Sequence, residues 1–129
     1  MSEKEQKHLA KTLGISAIKY ADLSSQRQKD YTFSYERMLR FEGNTAVFLL
    51  YSYVRMLGIQ RKASKNVEDL FPKTTIALEH PSEISLGLHL LRFAEVIGFI
   101  SEDLELHRLC EYLYILSEKF NAFFRDCRV

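Results

Sequence analysis

The segment Leu106-His107-Arg108-Leu109-Cys110-Glu111-Tyr112-Leu113-Tyr114-Ile115-Leu116-Ser117-Glu118-Lys119-Phe120-Asn121-Ala122-Phe123-Phe124-Arg125-Asp126-Cys127 decides the fold class. Within it, Leu106, Leu109, Leu113, Leu116, Phe120, Phe123 and Cys127 alternate spacings of three and four residues. That rhythm places side chains on one face of an α-helix. It is also the seam of a coiled coil, but it lasts only about three heptads, and Tyr112 and Ile115 widen it. Packing inside a helical bundle is the plainer expectation, and a coiled coil or protein–protein docking module is the alternative.

Working outward, residues 45–62 repeat the helical pattern. Val47, Leu50, Tyr51, Val54 and Leu57 form one stripe that Phe48 and Leu49 widen, so this helix is expected at the centre of the core. Gly43 and Asn44 precede it, and Asn44 is a candidate cap. Ser34 is a natural cap for Tyr35–Arg40. Ser2 and Glu5 have capping-box spacing for a first helix to about Leu13, with Gly14 interrupting before a second helix that carries Ile15, Ile18 and Leu23. Residues 24–30 have no apolar side chain and read as a solvated loop or a frayed helix end. Tyr31-Thr32-Phe33 could suggest a strand, but nothing nearby offers it a partner. Pro72 and Pro81 bound a more broken region, with a short helix near Thr74–Glu79. Ser82 is expected to cap a helix with Ile84, Leu86, Leu88, Leu90 and Leu91, and Ser101 to cap another after Phe93–Ile100. The whole is read as all-α, a single bundle domain over residues 1–129.

Composition excludes several functions. The 129 residues balance 18 basic against 17 acidic side chains, so no bulk positive field announces a nucleic-acid binder and any such contact must be local. No uninterrupted run of about 18 apolar residues suggests a membrane span, and the polar start Met1–Lys7 is not a secretory signal. An intracellular, cytoplasmic setting without membrane contact is expected. Cys110 and Cys127 lie 17 residues apart on one helix, about 26 Å at helical rise, and read as reduced thiols.

Chemistry of its own is not expected. His8, His80, His89 and His107 are scattered, with no pair at helical metal-ligand spacing. The glycines stand alone, so no phosphate loop is present. Serine and cysteine lack a recognisable base. Two surface features remain. One is the polar loop of residues 23–29 followed by Tyr31. The other is the end of the last helix, where Phe124 sits beside the apolar stripe with Arg125 and Arg128 close by. An aromatic flanked by guanidinium groups can receive an unstacked base, although the edge of a core is the commoner fate of such a residue.

Those segments also carry a resemblance. Lys19-Tyr20-Ala21-Asp22-Leu23-Ser24, Arg27, Asp30-Tyr31-Thr32-Phe33 and Met38-Leu39-Arg40-Phe41-Glu42-Gly43-Asn44-Thr45-Ala46 follow in that order. Leu49–Arg55, Arg61-Lys62, Leu109–Tyr114, Phe120–Phe124 and Cys127-Arg128-Val129 continue the series. Together they resemble the arginyl-tRNA synthetase family over most of the chain from about residue 13. The resemblance implies an all-helical, DALR-type bundle of the kind class I aminoacyl-tRNA synthetases use to bind anticodons. It implies that the parent enzyme joins arginine to its tRNA with ATP through an arginyl-adenylate. The catalytic domain that uses ATP is expected to lie before this chain, leaving no cofactor, arginine pocket or catalytic residue here.

Carried over by position, the resemblance implicates Ser24, Gln26, Arg27 and Tyr31 on one side of the tRNA anticodon arm, and Phe124 and Arg128 on the other. Three departures are visible. Position 124 is commonly tyrosine in the family, so stacking survives but a phenolic hydrogen bond does not. Proline is common where Arg128 stands, and often where Ala94 stands. The family continues for two more helices, so an apolar bundle face is expected to be left uncovered, favouring self-association.

Overall fold

Ser2 and Glu5 open the first helix as their spacing predicts. The Glu5 amide donates to Ser2 Oγ at 3.3 Å and the Ser2 amide to Glu5 Oε2 at 2.6 Å. In the computed structural model, which describes residues 1–63 and 75–127, this helix, α1, runs unbroken over Glu3–Ser24. Gly14 does not interrupt it. One glycine costs a helix only about 1 kcal/mol against alanine, which the packing of the following turns offsets. The packed face also differs from the apolar one read from sequence. Ala17 is buried, with Tyr20, Ala21 and Ser24 half-buried, whereas Ile15, Ile18 and Leu23 are exposed.

Residues 31–33 form no strand. Ser34 caps the short α2, Tyr35–Met38, accepting from the Arg37 amide at 3.4 Å. The chain then turns through Gly43, whose φ of 78° suits a residue without a Cβ. Helix α3, Ala46–Ala63, is capped by Thr45 rather than Asn44. Thr45 Oγ1 accepts from the Phe48 amide at 3.2 Å and donates to the Arg40 carbonyl at 2.7 Å. Asn44 is thereby free to reach α1.

Beyond residues 64–74, a group that includes Pro72 and Thr74 and lies outside the described residues, positions 75–79 are not helical. Helix α4, Pro81–Leu91, begins on His80, not Ser82: His80 Nδ1 accepts from the Ser82 amide at 3.2 Å, and Pro81 occupies the first turn, where its missing N–H costs nothing. Glu83 completes the box by accepting from the His80 amide at 2.8 Å. Arg92 makes the turn into α5, Phe93–Asp103. Ser101 lies inside α5, donating to the Gly98 carbonyl at 2.7 Å, and caps nothing. The chain reverses through Leu104, at φ 56°, a strained left-handed geometry for a branched side chain. Arg108 braces this turn against Asp103 at 3.1 Å and Glu105 at 2.8 Å.

The last helix, α6, covers His107–Asp126 and packs against α1, α3, α4 and α5. It, and not α3, is the central element. Its contacts fall on two faces. Cys110, Tyr114, Asn121 and Phe124 meet α1 and α3, through Tyr20, Phe48, Ser52 and Arg55. Tyr112, Lys119 and Asp126 meet α4, through His89, Ser85 and Ser82. The strict apolar stripe lies between these faces, and Leu109, Leu113, Leu116, Phe120 and Phe123 are half-buried. On α4 the usual polarity is reversed: its serines and His89 point at α6, while Ile84, Leu88 (61% exposed) and Leu91 (80% exposed) face outward.

His89 and Tyr112 form the best-buried polar junction. Their rings stack at 4.4 Å, His89 Nε2 lies 3.1 Å from the Tyr112 carbonyl, and the Tyr112 hydroxyl donates to the His89 carbonyl at 3.1 Å. A nitrogen facing a carbonyl must carry the proton, which fixes the tautomer. Taken as one stretch, Pro81–Asp103 is long and apolar enough to cross a membrane. An inspection for uninterrupted apolar runs passes over it. The turn at Arg92 and the hydrogen bonds that α4 makes to α6 mark it instead as a bundle element.

Candidate nucleic-acid interface

The loop after α1 is built by its own polar groups. Ser24 and Ser25 donate back to the Ala21 carbonyl at 3.3 and 2.8 Å, ending the helix, and the Lys29 amide donates to the Gln26 carbonyl at 2.8 Å, closing a turn. Arg27 Nη2 donates to the Asp103 carbonyl at 3.4 Å, which ties the loop to the end of α5. Gln26, Arg27 and Tyr31 share a polar groove of about 360 Å³ with Asp22, Lys29 and Asp30. Tyr31, 43% exposed, also borders a neighbouring cleft of about 350 Å³ with Ser24, Arg37, Arg40 and Asn44.

Tyr20 stands at the back of that cleft. Its hydroxyl lies 2.6 Å from Asn44 Oδ1 and 3.0 Å from the Cys110 carbonyl, so one phenol proton serves the loop before α3 and the first turns of α6. Burial, followed by the neighbouring Cys110 and Tyr114, pushes the Tyr20 phenol well above its usual range. Folding thereby favours its neutral, donating form.

The second patch is on α6. Phe124 does meet a guanidinium, but from Arg55 on α3 rather than from its neighbour in sequence. The Arg55 Cζ lies 4.7 Å from the Phe124 ring centre and 4.6 Å from that of Tyr51, within cation–π range of both. Arg55 donates to Asn121 Oδ1 and to the Tyr51 hydroxyl, each at 2.7 Å. Tyr51, Arg55 and Phe124 line, with Val54, Ile59 and Lys62, an open, largely apolar cavity of about 540 Å³. Arg125 instead pairs with Asp126 at 2.8 Å, and that pairing holds the Asp126 carboxyl below its ordinary range.

The structure therefore brings Ser24, Gln26, Arg27 and Tyr31 together in one region and puts Phe124 in another. From Cys110, where α1 meets α6, to Phe124 is 14 residues, about 21 Å along the helix. Arg128 lies outside the described residues. Sequence reasoning missed Arg55 and Tyr51 as site residues. The i, i+4 spacing of Tyr51 and Arg55 on the helix expected to pack near the last one was the available signal. The arrangement suits stacking and anion contacts, and neither cysteine among the described residues is activated: burial raises both thiols, with Glu83 and Asp126 adding to the effect at Cys127.

Two domain families match the chain. The DALR anticodon binding domain matches residues 49–129, and the class I (R) tRNA synthetase catalytic domain matches residues 1–35. Ser24, Gln26, Arg27 and Tyr31 thus fall in the second match, and Phe124 and Arg128 in the first. An arginine–tRNA ligase of Protochlamydia amoebophila is 62% identical over 129 residues, all of this chain and 22% of that protein. One from Chlamydia felis is 55% identical over the same length, 23% of its own. The crystal structure of arginyl-tRNA synthetase from Plasmodium falciparum superposes with a TM-score of 0.84 at 43% identity, covering 95% of this chain and 22% of that one. The chain spans between a fifth and a quarter of the length of the relatives it matches. With residues 49–129 matched and the helical bundle reproduced in a solved relative, the chain belongs to the DALR anticodon-binding domain family.

Proposed function

We propose that this chain is the tRNA-binding part of an arginine–tRNA ligase, holding the anticodon arm of arginine-accepting tRNA while residues outside it attach arginine with ATP. The match of the DALR domain over residues 49–129 carries the reading. The aromatic–guanidinium unit at Tyr51, Arg55 and Phe124 supplies a physical means. Flat rings and a fixed cation receive an unstacked base, and the loop at Ser24, Gln26, Arg27 and Tyr31 meets the RNA elsewhere, with Arg128, four positions after Phe124 in the sequence, supplying a further cation. On this reading residues 1–129 work as one binding unit with no cofactor of its own, in translation in the cytoplasm, and ATP is used by the rest of the enzyme. A gel-shift titration of the full-length protein with arginine-accepting and non-cognate tRNA tests it. Preferred, salt-sensitive binding of the arginine tRNA is expected. Failure to bind either would refute it.

The outward Ile84, Leu88 and Leu91 stripe favours a second property of this chain, self-association through α4. Sedimentation velocity at rising concentration is expected to show a dimer that Leu88→Lys abolishes. A strictly monomeric wild type would rule it out.

A further inference from the structure

Arg55 sits where two cavities meet. One is the apolar cavity beside Phe124, and the other is a groove of about 330 Å³ that also contains Phe41, Asn121 and Arg125. A guanidinium on a flexible stem does not stay between two rings unless something fixes its plane. Cation–π attraction to Tyr51 and Phe124 sets its height, and in-plane hydrogen bonds set its rotation.

One of those bonds has a built direction. The Ser52 hydroxyl donates to the Phe48 carbonyl at 3.1 Å, so the Ser52 oxygen is left to accept. Asn121 Nδ2 donates to it at 3.0 Å. The amide is thereby oriented with Oδ1 toward Arg55, which donates to it at 2.7 Å. Ser52 is buried, and its partner carbonyl belongs to α3 itself. Donors run one way, from Arg55 through Asn121 and Ser52 into the α3 backbone, and no member can be turned round without leaving a donor facing a donor.

We infer that Asn121, held by Ser52, is a positioning residue that locks the Arg55 guanidinium over the Tyr51 and Phe124 rings, keeping the stacking unit formed before RNA arrives. The inference rests on the RNA-binding reading only for its consequence; the locking itself is a property of the free chain. Two of the five guanidinium N–H groups are committed to Asn121 and Tyr51, so the rest remain to meet a phosphate or a base edge.

The test pairs two readouts on wild type, Asn121→Leu and Ser52→Ala. In the free chain, ¹⁵N spectra of the arginine side chains report rotation about the Arg55 Cζ–Nε bond. Binding of an anticodon stem-loop RNA reports the consequence. Wild type is expected to show separate, slowly exchanging Arg55 Nη signals. Asn121→Leu is expected to merge them and weaken RNA binding about tenfold, as for loss of one charge-assisted contact, with helical circular dichroism retained. Ser52→Ala is expected to act in the same direction and more weakly, and serves should Asn121→Leu not fold. Separate Nη signals and unchanged affinity in both variants would overturn the inference. Merged signals in the variants, with no RNA binding even by wild type, would support the lock and refute the proposed function.

Discussion

Removing the Tyr20 hydroxyl tests how the bundle is tied together. In Tyr20→Phe the ring stays and one proton is lost, the proton lying 2.6 Å from Asn44 Oδ1 and 3.0 Å from the Cys110 carbonyl. Asn44 is exposed and can turn to water. The Cys110 carbonyl lies inside α6, where helical bonding also uses it. Neither acceptor is left stranded, so the loss is that of one net hydrogen bond, about 1 kcal/mol. For a domain of this size that is a fall of about 3–5 °C in melting temperature. Tyr20→Ala also removes the packed ring and is expected to cost about 3 kcal/mol. The alkaline limb adds a second signature. Because folding raises the Tyr20 phenol above its unfolded value of about 10, the stability it contributes is complete below pH 10 and is lost as pH climbs toward the folded value. Melting curves followed by circular dichroism at pH 7 and above pH 10 should show wild type losing stability more steeply than Tyr20→Phe. Tyr112 and Tyr114, also raised, leave some slope in the variant. A Tyr20→Phe melting temperature equal to wild type, with parallel alkaline limbs, would refute the idea that this hydroxyl joins α1, the loop before α3 and α6.

Other outcomes follow from single features. Gly14→Ala is expected to stabilise the chain by about 0.5–1 kcal/mol in denaturant titration, because α1 continues through this position and a Cβ there meets nothing within 4 Å. Glu83 is held below its ordinary range by the His80 and Glu79 amides, so its contribution is present above the unfolded value near 4.5 and disappears as pH falls through the folded one. Glu83→Gln should therefore flatten the acid limb of a stability–pH curve. Phe124→Ala should weaken RNA binding by about 1–3 kcal/mol, the usual contribution of one base–aromatic stack, while Phe124→Tyr retains it.

The fold class was legible because the spacing in residues 106–127 admits one secondary structure, and the capping pairs Ser2–Glu5 and Ser34–Arg37 stand where sequence predicts. The centre of the bundle was less legible. Apolar periodicity identifies the greasiest face of α6, but its sharpest contacts are made by Cys110, Tyr112, Asn121 and Asp126, which periodicity ignores. Local signals also compete: Asn44 and Ser82 are good caps in isolation but are drawn into tertiary bonds, and Ser101 is taken inside its helix, where it bonds back to the Gly98 carbonyl. At the candidate site, Phe124 was readable from its position beside the stripe. Arg55 was only half readable: Tyr51 lies four positions before it, but Phe124 is 69 positions away and meets it only once α3 lies along α6.

The most direct measurement is a hydroxyl-radical footprint of arginine-accepting tRNA with the full-length protein and its Phe124→Ala variant. Wild type is expected to protect the anticodon loop, and the substitution to reduce that protection while acceptor-stem protection persists. Anticodon-loop cleavage indistinguishable from free tRNA would contradict the proposed function.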